Sequence, residues 1–299
     1  MISIQNIKLQ EINLPMLEDM GIQLQVLRLD LIHPEISGNK WFKLKYNIQF
    51  AKENAYKKIL TFGGAYSNHI VATAAACNYL GLESIGIIRG DPHIPLNHSL
   101  AFAVKCGMKL EYVSREVYRR KKEEDFLNEI KKKFLDAYII PEGGANDLAI
   151  MGCAEINDFI PEDTDLICVA CGTASTLAGI VSAVKSHQQI IGFSALKGGM
   201  FLLDEVKKLL KNQNSTLNYF INSDYHFGGY AKYNQELMDF MNDFYSSTQI
   251  PLDYVYTAKM MFGLLDLIKK GEIKNKKIVA IHTGGLQGNL LIMDKLIYR

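Results

Sequence analysis

Nine short apolar runs, alternating with stretches of helical period, constrain this chain more than any other feature of its sequence. The runs read LQVLRLDLI, KKILTFGG, ESIGIIRG, KLEYVS, AYIIPEGG, DLICVACG, QQIIGFSAL, LNYFINS and KKIVAIHTGG. Between them lie helical patterns such as SNHIVATAAACNYLG, REVYRRKKEEDFLNEI, STLAGIVSAVKS and TAKMMFGLLDLIKKG. Many runs are rich in Ile and Val and apolar on both parities, as a strand is when both faces of its sheet are covered. Alternation of this kind predicts an α/β fold of doubly wound layers with mostly parallel sheets. No internal repeat, long linker or low-complexity segment interrupts it.

Several runs end in glycine: FGGAYSNH, PEGGAND, CGTASTLAG, ALKGG, FGGY and HTGGLQGN. In open α/β sheets ligands sit outside the carboxyl ends of strands, where loops lead into helix N-termini. Glycine lets backbone approach a ligand closely there. Six such loops predict a site with several walls.

Composition removes some classes of function. The chain has 299 residues, 48% of them hydrophobic, enough for one large or two modest domains. Its formal net charge is +1, from 33 Lys and Arg against 32 Asp and Glu, so no global field draws it to nucleic acid or an anionic membrane. The one dense charge run, REVYRRKKEEDFLNEIKKKF, mixes both signs at helical spacing and reads as a solvated helix face. No apolar run reaches the roughly 20 residues that span a bilayer. The N-terminus, MISIQNIKLQEINLP, carries no basic region followed by an apolar core, and a cytoplasmic protein is the expectation. Five scattered cysteines make no disulfide framework. Cys168 and Cys171 form a C-x-x-C inside a strand, where positions three apart point to opposite faces, so both read as small core residues and no metal site is expected.

Four segments carry chemistry. In CGTASTLAGI the backbone N–H groups and hydroxyls of Gly172, Thr173, Ala174, Ser175 and Thr176 could cradle a phosphate at a helix N-terminus, or the hydroxyls could simply cap that helix. Neither a P-loop nor a dinucleotide fingerprint is present. In TFGGAYSNHIVATAAA, Ser67 or Asn68 caps a small-residue helix and leaves donors for a carboxylate, while His69 by itself reads as a core or capping histidine. In LDYVYTAKMMFGLLDLI the period changes at Thr257, which puts Tyr256 at a junction, where it could also be a packing residue. Finally, Lys40 of LIHPEISGNKWFKLKYN follows a Pro-, Gly- and Asn-bearing turn and opens an amphipathic helix. Most lysines so placed are solvated helix ends.

The order SGNKWFKL, GGAYSNH, GTASTLAG, GGY, LDYVYTAK, HTGG resembles one pyridoxal-phosphate family, that of 1-aminocyclopropane-1-carboxylate deaminase and D-cysteine desulfhydrase, with the tryptophan-synthase-β-like fold. The resemblance runs from about residue 20 to the end, and six motifs in the right order make it specific where each alone is weak. It implies two domains, a large cofactor-binding one over residues 1–45 and 148–299 and a small substrate-side one over 46–147. It also implies a homodimer acting on a small amino acid.

By this resemblance Lys40 is the Schiff-base lysine and Lys43 contacts the phosphate. Phe42 stands where the family commonly carries arginine. Asn68 matches the partner of the cofactor's phenolic oxygen, and Ser67, Asn68 and His69 match the loop that grips the substrate carboxylate. Tyr66 replaces the usual glutamine. Gly172 to Thr176 match the phosphate loop, and Tyr230 and Tyr256 match two active-site tyrosines.

The deaminase carries glutamate where this chain has Thr257, and a carboxylate there keeps the pyridine nitrogen protonated and the ring a strong electron sink. Thr257, with Thr283 as a second neutral partner, therefore predicts β-elimination from D-cysteine rather than cyclopropane ring opening. The α-proton would go to Lys40 or Tyr256. The alternatives are the deaminase activity itself, a racemase or dehydratase of serine-like amino acids, and a pyridoxal-phosphate-binding protein without turnover.

Overall fold

The computed structural model describes residues 7–211 and 218–298. The first six residues of the N-terminal stretch read above for a leader lie outside them. In chain order the elements are β1 (Leu9–Ile12), α1 (Pro15–Asp19), β2 (Gln23–Arg28), α2 (Asn39–Glu53), β3 (Lys58–Gly63), α3 (Asn68–Leu80) and β4 (Glu83–Arg89). There follow α4 (His98–Lys105), β5 (Met108–Val113), α5 (Arg115–Arg119), α6 (Glu124–Lys133), β6 (Ala137–Ile140) and α7 (Asp147–Ala154). The last part holds β7 (Leu166–Cys171), α8 (Ser175–Ala183), β8 (Gln189–Ser194), α9 (Phe201–Leu209), β9 (Tyr219–Asn222), α10 (Gln235–Thr248), α11 (Thr257–Lys269) and β10 (Lys277–His282). Two compact units result, one of Met1–Asn39 with Ile150–Arg299 and one of Lys40–Ala149.

The first unit is built on a six-stranded sheet in the order β1-β2-β10-β7-β8-β9, parallel except for β1 against β2. Both of its faces are covered, which is why its strands read as continuous apolar runs. Leu166, Cys168 and Ala170 of β7 face one way, into a core shared with Ile191 and Phe193 of β8 and Met260, Met261 and Leu264 of α11. Cys171 faces the other way, towards Gly192 and Leu177 of α8. Each large aliphatic chain enclosed in this way stabilises the fold by about 1.5–3 kcal/mol. The C-x-x-C pair thus lies on opposite faces of a fully buried strand, and all five cysteines are buried free thiols. Strand order reverses between β7 and β10, so the loops at the carboxyl ends of those two strands flank a topological switch point.

The second unit has a four-stranded, all-parallel sheet in the order β5-β4-β3-β6. Its switch point lies between β3 and β6. Leu60, Phe62, Ile85 and Ile87 pack against Tyr118, Phe126 and Ile130. Helix α3 is buried almost all round, which its run of alanines permits by bringing backbone close to the sheet.

Two expectations change. The four residues of β1 form an antiparallel edge strand, Leu9 opposite Leu27 and Ile12 opposite Leu24. Gln10 and Glu11 gave that stretch no apolar period. The charge run is two helices rather than one, because the backbone leaves helical geometry at Glu123, whose φ and ψ are −77° and 134°. Arg120 ends α5 and its Nε donates to Glu123 Oε2 at 2.9 Å across the break. Tyr118 and Phe126 can then both reach the core. Among the described residues, no helix is long and apolar enough to cross a membrane.

Candidate active site

In the first unit, β7 delivers its chain into Gly172-Thr173-Ala174 and the start of α8. The N-cap is Ala174, with no side-chain cap, so the hydroxyl cluster does not take the simple capping role. Ser175 and Thr176 are buried, Thr173 Oγ1 lies 3.4 Å from Ser175 Oγ, and Thr176 Oγ1 accepts from Asn39 Nδ2 at 2.8 Å. The backbone N–H groups of this helix start can therefore bind an anion, with the helix dipole behind them. Gly172 has a packing reason as well. A Cβ there would stand 2.5 Å from Cε1 of Tyr256.

Tyr256 is the N-cap of α11, and its ring is edge-on to Tyr230, with centroids 6.0 Å apart. Thr257, fully buried, gives its hydroxyl proton to Asp253 Oδ1 at 2.7 Å and accepts from the Asp253 N–H at 2.8 Å. Asp253 also accepts from the N–H groups of Val255, Tyr256 and Thr257. This buried carboxylate, which sequence reading missed, fixes the geometry of the Tyr-Thr pair. An Asp four residues before the change of period was the signal that could have found it.

The turn before Lys40 is anchored to the same unit. Gly38 has φ +68°, and a Cβ on it would lie 1.9 Å from the Thr283 carbonyl oxygen. The Asn39 N–H donates to that carbonyl at 3.2 Å. His282 gives Nε2–H to the Pro251 carbonyl and accepts the Gly284 N–H at Nδ1, so the HTGG loop is held from both sides. Gly172, Thr176, Tyr230, Tyr256, Thr257 and Thr283 thus form a connected set around the ends of β7 and β10.

The second unit begins at Lys40, in the first turn of α2. Phe42 is fully buried, and Lys43, 2% exposed, gives its ammonium to the Gly143 carbonyl at 3.0 Å. Ser67 is the N-cap of α3, its Oγ accepting the Ile70 N–H at 3.3 Å, and Asn68 opens the helix. Tyr66 is exposed, with its ring 5.8 Å from that of His98. His69 is buried and its Nε2 lies 2.9 Å from Thr61 Oγ1. Thr61 spends its single proton on the Ile140 carbonyl, so Nε2 carries the hydrogen, and Nδ1 is a bare acceptor with no partner among the described residues. Burial, then the positive charges of Lys40 and Lys43, hold this imidazole well below its ordinary pKa. A neutral histidine with an orphaned acceptor therefore stands beside two ammonium groups.

The first unit has a helix start able to bind an anion at a switch point, and the second opens on a lysine and holds a neutral buried histidine; each feature suits an α/β enzyme with a phosphorylated cofactor. The chain belongs to the pyridoxal-phosphate dependent enzyme family, which it matches over residues 7–284. It is 34% identical to the Arabidopsis thaliana mitochondrial bifunctional D-cysteine desulfhydrase/1-aminocyclopropane-1-carboxylate deaminase, over 92% of this chain and 75% of that one. It is 26% identical to the D-cysteine desulfhydrase of Klebsiella pneumoniae, over 91% and 90%. A crystal structure of an ACC deaminase homologue superposes with a TM-score of 0.84 at 27% identity, covering 99% of this chain and 95% of that one. The protein is an enzyme with pyridoxal 5′-phosphate as its cofactor. The residues present fit that group: the α8 start, with no side-chain cap and small side chains, suits a phosphate, and Lys40 offers an amine.

Proposed function

We propose that this enzyme eliminates the β-substituent of a small amino acid, D-cysteine in the first instance, to give pyruvate, ammonia and sulfide. The observation that carries the reading is Thr257: the residue after Tyr256 has no carboxylate, and its hydroxyl is already engaged by Asp253. When bound, pyridoxal phosphate supplies an electron sink for the carbanion at the substrate α-carbon. Without an acidic group at residue 257 that sink is weaker, which suffices when a thiolate departs with the electrons.

In this reading Lys40 holds the cofactor through its amine, and the start of α8 from Gly172 to Thr176 takes the phosphate with Lys43. Asn68 would hydrogen-bond the cofactor's oxygen, and Thr257 and Thr283 would serve as its neutral partners. The N–H groups that open α3 take the substrate carboxylate, with Ser67 fixing that helix start, His69 neutral beneath it and Tyr66 bordering the substrate. Lys40 or Tyr256 removes the α-proton, with Tyr230 against Tyr256. The first unit is then the cofactor-binding domain and the second the substrate-side domain, in a cytoplasmic homodimer.

The deaminase activity is the second reading, because the Arabidopsis relative's name joins both activities at 34% identity. The cofactor-loaded enzyme is to be given D-cysteine and 1-aminocyclopropane-1-carboxylate in parallel, with Lys40→Ala as control. Sulfide and pyruvate from D-cysteine alone, lost in Lys40→Ala, are expected. 2-Oxobutanoate formed from the cyclopropane substrate at a comparable rate would sink the argument from Thr257.

A further inference from the structure

Lys259 lies one helical turn beyond Tyr256 and is only 1% exposed. Among the described residues its ammonium pairs with no carboxylate. It donates instead to two backbone carbonyls, those of His226 at 2.9 Å and Gly229 at 2.7 Å. Enclosing a cation on neutral partners is costly, and burial pulls this ammonium down to about 8 against the opposing charge of Asp253. A methionine would fill the same space without that cost, so the charge has a use other than packing.

The two carbonyls belong to a turn that secondary structure does not hold. Phe227, Gly228, Gly229 and Ala231 all have positive φ, at 51°, 90°, 118° and 53°. Two of these, Phe227 and Ala231, are not glycine, and an L side chain crowds the backbone in that region. The turn's own bonds converge on the residues that Lys259 grips: the Gly229 N–H donates to the His226 carbonyl at 3.0 Å and the Lys232 N–H to the Gly229 carbonyl at 3.1 Å. The Gly228 N–H donates to His226 Nδ1 at 2.9 Å. The residue carried at the end of this turn is Tyr230, edge-on to Tyr256. One helix start therefore presents Tyr256 and, three residues on, the cation that ties down the loop of the second tyrosine.

We propose that Lys259 is a positioning residue for Tyr230: its buried ammonium clamps the His226–Gly229 turn to the start of α11 and so sets the Tyr230 ring against Tyr256. The inference rests on the reading that both tyrosines serve the reaction, and its first test does not depend on turnover.

Hydrogen exchange of the full-length, cofactor-loaded enzyme is to be compared for wild type, Lys259→Met and, should the first variant fold poorly, Lys259→Gln. Amides of residues 226–231 should exchange at least about tenfold faster in the variants, with the strands of the first unit unchanged. Unchanged exchange at 226–231 would overturn the clamp. Kinetics supply the second arm. Lys259→Met and Tyr230→Phe should each lower kcat/KM, and the double variant should fall no further than the more damaged single one. Losses that multiply would overturn the link to Tyr230. If the wild type turns over neither amino acid, the proposed function fails, while the exchange result still decides for or against the clamp.

Discussion

Gly38 shows how closely the backbone is drawn together before Lys40. Its φ of +68° and the Thr283 carbonyl 1.9 Å from a would-be Cβ leave no room for any other residue. Gly38→Ala is expected to cost at least about 2 kcal/mol, seen as a lowered midpoint in urea, and to weaken cofactor binding by displacing Asn39 and Lys40. His69 gives a pH signature. Its folded pKa is depressed below the ordinary 6.5, so below that pH the unfolded chain takes up a proton that the folded chain does not. The stability it contributes is present above pH 6.5 and is lost as pH falls. Urea unfolding of wild type against His69→Gln between pH 7.5 and 5.5 should show an extra loss in wild type of up to about 1.4 kcal/mol per pH unit. Equal slopes would mean that the ring is solvated. The role proposed for Lys40 comes only from the order of motifs around it, since one lysine at a helix start carries no signal of its own. Lys259 carried no signal, because its partners are carbonyls some thirty residues away, whereas Asp253 was open to discovery from its place four residues before Thr257.

At the scale of elements, the loops that matter leave parallel strands at the two switch points, β7 and β10 in one sheet and β3 and β6 in the other. The strand-to-helix step after β3 depends on one cap. Ser67→Ala removes the acceptor of the Ile70 N–H and should destabilise the second unit by about 1 kcal/mol, measured by chemical denaturation; a loss below a few tenths would mean that water replaces the cap without cost. Strand identity was readable because both faces of each sheet are covered, so the apolar runs are continuous. The split of the charge run between α5 and α6 was not readable, because solvated charges keep helical spacing whether or not the backbone breaks between them.

For the whole molecule, pyridoxal phosphate is a ligand of the folded state, and removing it should lower stability by mass action. At a cofactor concentration of about 100 times Kd the holoenzyme gains about 2.7 kcal/mol over the apoenzyme, and calorimetry should show a Tm that rises with added cofactor in wild type. A Tm indifferent to cofactor would contradict the assignment of the α8 start as its phosphate site. The amino-acid order by itself determined the layers: apolar period, glycine at strand ends and the absence of long uncharged apolar runs are local properties, and they fix an α/β fold with loops gathered at carboxyl ends. Tertiary structure decided what each group is bonded to. The pairing of β1 with β2, the tautomer of His69, the engagement of Thr257 by Asp253 and the grip of Lys259 on a distant turn all join residues whose separation in sequence, or whose choice among several partners, only the packed chain settles. Hydrogen-bond donors and buried charges take the partner that folding brings within about 3 Å, and no periodicity encodes that distance.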